Sequence, residues 1–249
     1  MKQILDYFEI PSNAKATKKL KTYLLEKHPL KANDKKILKT YTKTIILHYI
    51  LNQSKINIGK YEDEQRIYIE IYFIVIEVTS KDKIKQISNI IQTIFQKPII
   101  LIFQYENEIT LNITPKRVSK ADSSKLVAQN SHFTSWIDLE DPTQLESEFL
   151  DKLNIQNHPF TNFYDFYKSY EDLTISFNAS KFSGTLEQKE DSKELLEQIQ
   201  TLQSTINDII SKIKKEDNIR AKVNLNIELK KSQGKLEELK GKLRGKNEV

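Results

Sequence analysis

Residues 67–78 read Ile67, Tyr68, Ile69, Glu70, Ile71, Tyr72, Phe73, Ile74, Val75, Ile76, Glu77 and Val78. Only two of these side chains are charged, and apolar, largely β-branched residues occupy both parities. A strand with one wet face alternates between apolar and polar residues, whereas a strand covered on both faces does not. The stretch therefore predicts a central strand, with Ile71, Phe73 and Val75 buried. Downstream the period changes. Ile84, Ile87, Ile91 and Ile94 form one stripe at helical spacing, and Pro98 restarts the chain as a second apolar run from Ile99 to Tyr105. Glu106, Asn107 and Glu108 read as a turn. Ile109, Leu111 and Ile113 then alternate with Thr110, Asn112 and Thr114, the pattern of a half-exposed strand. Leu101 and Phe103 join the predicted core. The order is β-α-β-β, with the first two strands in one sheet and the helix on one face.

Outward from this unit the signals are mixed. On the N-terminal side, Lys15, Lys18, Lys19 and Lys21 accompany Leu20, Leu24 and Leu25, which predicts a short amphipathic helix ended by His28 and Pro29. Asp34 reads as the N-cap of a longer helix whose apolar face is Ile37, Leu38, Tyr41, Ile45, His48 and Tyr49, with Lys35, Lys36, Lys39 and Lys43 on its other face. On the C-terminal side, Phe133 to Leu139 can add a strand. Asp141 and Pro142 open a helix through Leu145, Phe149 and Leu153. The aromatic residues Phe163, Phe166, Tyr167 and Tyr170 recur at helical spacing and read as core; a base-stacking surface would interleave them with basic residues, and Lys168 is the only one among them.

The last quarter is helical. Leu195, Ile199, Leu202, Ile206, Ile209 and Ile213 make one heptad seam; Leu225, Leu229, Ser232, Leu236, Leu239 and Leu243 make another in a different phase. Two antiparallel helices, 193–214 and 219–243, with a turn near Asp217, fit better than one rod. Ile210, Ile219, Val223 and Ile227 lie off the seams and are expected to bind a partner or a second copy, with the polar 182–191 stretch as a linker. The expected fold is thus an α/β (α+β) body with a mixed sheet plus a C-terminal antiparallel helical hairpin, a coiled coil. The expected divisions are a basic helical region at 1–60 packed on the body, the α/β body at 61–181 and the hairpin at 188–249.

The chain of 249 residues has 38% hydrophobic and 29% charged residues. That is too apolar for disorder, and no run approaches the roughly 18–20 apolar residues that span a bilayer. Met1 to Asp6 has no long apolar stretch behind it, so no signal peptide is expected and the expected location is the cytoplasm. The absence of Cys excludes disulfide scaffolds and thiol catalysis. The five glycines never cluster as a phosphate loop requires, the four histidines share no metal-ligand spacing, and no Gly-x-Ser-x-Gly elbow occurs. His48 reads as a packing residue. No catalytic residue, metal site or cofactor is expected. The one enzyme the residues suggest is a metal-dependent nuclease, because Glu70 and Glu77 sit in the most buried strand, where carboxylates demand a reason. They are an odd number of positions apart and so point to opposite faces.

Charge is uneven. Residues 1–60 hold thirteen Lys and Arg against four Asp and Glu, while 61–187 hold twelve against nineteen. A basic end predicts an anionic partner for the N-terminal part. Lys15, Lys18, Lys19, Lys35, Lys36, Lys39 and Lys43 are the expected contacts to DNA or RNA phosphates, a task that needs no strict geometry.

A set of short motifs adds a resemblance. In order they are Tyr7, Phe8, Glu9, Ile10 and Pro11; the Lys15–Lys19 stretch before Tyr23; His48 and Tyr49 leading to Ile56, Asn57 and Ile58; the Ile69–Glu77 strand; Lys97 and Pro98 with the apolar run to Ile102; Ser135 to Leu139; and Asn224 to Lys230. Together they resemble the bacterial domain-of-unknown-function family forty-three ninety-one over nearly the whole chain. The chain departs from the family's Lys-Arg-Ile-Pro-Lys pattern by lacking the Arg and Pro, and His48 and Tyr49 stand where a Trp is usual. The resemblance implies a setting rather than a mechanism, since such proteins tend to be encoded beside Swi/Snf-type helicases and DNA methyltransferases in defence or restriction-modification loci. The expected function is a non-catalytic accessory subunit of an anti-phage defence or restriction-modification system. It would bind a helicase or methyltransferase subunit and nucleic acid, and could pair with a second copy through its hairpin. The alternative is a nuclease subunit with a degenerate active site.

Overall fold

Apolar runs on both parities need cover on both sides, and the chain supplies it as layers about a seven-stranded mixed sheet. The structure, a computed structural model, describes residues 3–186 and 192–243. In chain order it contains α1 (Ile4–Tyr7), β1 (Lys15–Lys19), α2 (Lys21–Glu26), α3 (Ala32–Tyr41), β2 (Thr42–Asn52), α4 (Gln53–Ile56), β3 (Tyr61–Glu62), β4 (Ile67–Tyr68), β5 (Glu70–Val78) and α5 (Ile84–Ile94). There follow β6 (Ile99–Tyr105), β7 (Glu108–Ile113), β8 (Lys116–Val118), β9 (Leu126–Ala128), β10 (His132–Phe133), β11 (Ile137–Asp138), α6 (Gln144–Lys152), α7 (Phe163–Ser183), α8 (Ser192–Lys215) and α9 (Ile219–Leu243).

The main sheet runs β1-β2-β5-β6-β7-β10, with β11 also on β7. β5 and β6 are parallel and joined through α5, and their other pairings are antiparallel. β5 is central, and Ile71, Phe73, Val75, Leu101 and Phe103 are all buried. Along β5, Ile74, Ile76 and Val78 join Ile45, Leu47, Leu101 and Phe103 in a core closed by Leu24, Ile37, Leu38, Ile87 and Ile91 of α2, α3 and α5. Phe73 has the opposite parity. Its ring meets Phe8 edge-on at 5.1 Å, and Phe8 lies 5.9 Å from the ring of Tyr170.

Several expectations need correction. Lys15–Lys19 is not helical; it is an edge strand on β2, and the helix begins only at Lys21. The helix expected from Asp34 to Tyr49 ends at Tyr41, because Thr42, Thr44, Ile45 and Ile46 are β-branched and pair with β5. Thr42 donates its hydroxyl to the Leu38 carbonyl at 2.6 Å, and Lys21 Nζ donates to the Thr42 carbonyl, so the helix end is closed where the strand starts. The N-cap of that helix is Lys31 rather than Asp34.

β7 is covered on both faces, not half exposed. Its polar parity points at α5, where Asn112 Oδ1 accepts from Ser88 at 2.7 Å and Gln92 at 3.2 Å. Hydrogen bonding thus permits burial that the alternation argued against. α6 is capped by Thr143, in a reciprocal box with Glu146, rather than by Asp141.

Two compact units divide the chain, Met1–Thr174 and Ile175–Val249, with the boundary inside α7. In the second unit α8 and α9 form the helical pair. Leu196, Ile199, Leu239 and Leu243 share a core with Ile175 and Ala179 of α7. Phe182 and Ser183, expected in a linker, belong to α7; Gly184, at φ 81°, ends it in the left-handed region that glycine enters without penalty. Thr185 and Leu186, the latter buried, follow it, and the rest of that expected linker, 187–191, lies outside the described residues. Among the described residues no helix is long and apolar enough to cross a membrane.

Candidate nucleic-acid interface and adjoining cleft

A lysine can neutralise a phosphate only if its charge is not already taken. Lys15, Lys18 and Lys19 are exposed on β1, Lys36 and Lys39 are exposed on α3, and Lys35 is half-buried beside them. Among the described residues, none of these six pairs with a carboxylate. Lys43 differs. It leaves α3 altogether, lies on β2, and donates to Glu77 at 3.0 Å, a bond that raises its pKa. The structure therefore leaves six of the seven expected lysines unpaired on two elements that both contact β2, and diverts the seventh to a carboxylate. Lys21, between them in sequence, is held by carbonyls at the end of α3, where a cation complements the helix dipole.

β2 carries two register shifts against β5, between Thr42 and Thr44 and between Leu47 and Tyr49. Such bulges re-aim side chains. Here they turn Lys43 toward Glu77 and His48 into a cleft of about 370 Å³. Ile4, Ile46, Val75 and Leu139 supply its apolar wall. His48, Glu77, Gln104 and Glu106 supply polar groups, the last three from the C-terminal ends of the parallel strands and the turn beyond. His48 is thus a cleft residue on a strand, not a packing residue on a helix. Its pKa is lowered, chiefly by burial and secondarily by the charge of Lys15. Glu106 sits at φ 55°, a left-handed conformation costing a non-glycine residue about 1 kcal/mol.

Glu70 and Glu77 do not converge. Glu70 is 3.2 Å from Lys97, Glu77 is bonded to Lys43, and among the described residues no three His, Asp or Glu side chains gather as a metal site would need. The four residues expected to bind a partner lie on the helical pair. Ile219, Val223 and Ile227 are 81%, 52% and 50% exposed at successive four-residue steps on α9, while Ile210 on α8 is half-buried.

Sequence reasoning missed the cleft because its residues span positions 3 to 139. The readable signal was the β-branched run from Thr42 to Ile46, which marks β2 and so frees His48 from the helix. No curated protein and no solved structure matches the chain. One family model does, that of Domain of unknown function (DUF4391), and it covers residues 8–236, nearly the whole of the body and both helices of the pair; the chain belongs to that family.

Proposed function

We propose that this protein is a non-catalytic accessory subunit of a bacterial anti-phage defence or restriction-modification system, holding nucleic acid for a helicase or methyltransferase in the cytoplasm. The observation that carries the nucleic-acid part is the set of six lysines on β1 and α3, none of which forms an ion pair with a carboxylate among the described residues. Free ammonium groups suit a phosphate backbone and impose no sequence preference. The setting follows from what membership of the family implies. The exposed apolar stripe of Ile219, Val223 and Ile227 supports a docking role for the helical pair, toward the motor, the methyltransferase or a second copy.

Fluorescence anisotropy with short DNA and RNA at several salt concentrations tests the reading. Binding that weakens steeply with salt and falls on Lys36→Glu with Lys39→Glu is expected. Absence of binding even at low salt would leave only an interaction protein.

A further inference from the structure

The cleft beside β1 is chemically unlike the lysine face, and the difference is informative. Its volume, about 370 Å³, lies within the range of small-ligand pockets. Its apolar wall is aliphatic, and its polar groups are three amides (Gln3, Gln104 and Asn107), the Thr44 hydroxyl, two carboxylates (Glu77 and Glu106) and an imidazole (His48). The one ammonium among the candidate lysines that reaches its rim, Lys43, is bonded to Glu77. A phosphate entering this cleft would meet carboxylates. A flat neutral ring would instead lie against Ile46 and Val75 and offer its edge donors to the carboxylates and the Gln104 amide. That is how extruded bases are held elsewhere, between apolar side chains and hydrogen-bonding groups.

The cleft also shares a register with the lysines. Lys19 of β1 is the ladder partner of Ile46, an apolar wall residue, and Lys15 is close enough for its charge to act on His48. Phosphates on β1 would therefore run alongside the opening. We infer that the cleft receives a single unpaired nucleobase of a strand whose backbone lies on the β1 lysines. The inference rests on the nucleic-acid reading for the strand, but not for the base. The preferred substrate is then single-stranded, or a duplex with one base displaced.

Titration of adenosine, guanosine, cytidine and uridine, each without phosphate, into the full chain tests the cleft independently of the lysines. Methyl NMR of Ile46, Val75 and Leu139 reads occupancy, and the methyls of Ile37 and Leu38 on the other face of the sheet report that the fold is intact. At least one nucleoside should give saturable shifts in the millimolar range. Ile46→Trp, which fills the cleft, should abolish them, and Gln104→Leu, which keeps its shape, should weaken them about tenfold. No saturable shift with any nucleoside, or shifts that survive both substitutions, would overturn the inference. If nucleosides fail while oligonucleotides still bind in a salt-dependent way, the cleft reading falls alone; if nucleosides bind and oligonucleotides do not, only the lysine interface falls.

Discussion

His158 lies flat against Tyr170, with ring centroids 3.7 Å apart and planes 24° from parallel. Its Nε2 donates to the Lys152 carbonyl at 3.1 Å, and its Nδ1 is 2.7 Å from the Ser169 hydroxyl. Burial pulls its pKa down to about 4. The unfolded chain takes up this proton first as pH falls below about 6.5, while the folded chain resists until about 4. Stability is therefore full above pH 6.5 and is lost between 6.5 and 4, by roughly 3 kcal/mol for this group. Urea midpoints across that window should fall with pH, and His158→Phe should flatten the fall. An equal slope in both proteins would show that His158 is not the titrating group.

Phe73 is fully buried and edge-on to Phe8. Truncation to alanine removes a large side chain from a site walled by a central strand that cannot collapse. Phe73→Ala should cost about 3–5 kcal/mol in chemical denaturation. A loss below about 1 kcal/mol would contradict its burial.

Electrostatics separate Lys43 from the other lysines. If about four phosphates are neutralised, log affinity should fall against log salt with a slope of roughly −3 to −4. Paired reversal of Lys36 and Lys39 should flatten that slope. Lys43→Ala should change it less than Lys39→Ala does, because Glu77 already holds the Lys43 charge. Equal effects would show that the ion pair opens on binding.

The helical pair offers an inside and an outside to compare. Ile199 and Leu239 are 2% and 4% exposed, whereas Ile219 and Val223 are open. Ile199→Asp should destabilise the second unit by about 3 kcal/mol or more through an unpaired buried charge. Ile219→Asp with Val223→Asp should stay within about 0.5 kcal/mol for each substitution. Thermal melts by circular dichroism measure both. If the outer pair carries docking, it should lose association in light scattering or pull-down while its melt is unchanged.

The β5-α5-β6-β7 unit was legible because each signal there is local. An apolar run, a change of period and a proline followed one another, and nothing distant had to be known. β2 was not legible in the same way. Ile37, Leu38, Tyr41, Ile45, His48 and Tyr49 fit a helical face by spacing, and the competing signal, β-branching at Thr42, Thr44, Ile45 and Ile46, is decided by pairing with β5, some thirty residues away. β1 carries three lysines and no large apolar residue; as a strand it exists only because β2 lies beside it. For the candidate site, the identity of the basic residues was readable and their placement was not. The cleft depends on two bulges in β2 and on bringing α1, β2, the ends of β5 and β6, and Leu139 together, which no local pattern encodes.

β1 also has a consequence for the solubility of the whole molecule. It is an outer strand with one row of backbone donors and acceptors facing away from β2, the feature through which strands from different molecules join. Here the row is short, interrupted by a register shift, and strained at Thr17, whose φ of 44° is unfavourable for a β-branched residue. Three ammonium groups repel a second copy approaching in the same way. Removing Lys15, Lys18 and Lys19 together would thus open the sheet to edge-to-edge growth into fibrils or amorphous precipitate. The lysines that suit a polyanion also keep the sheet from extending itself.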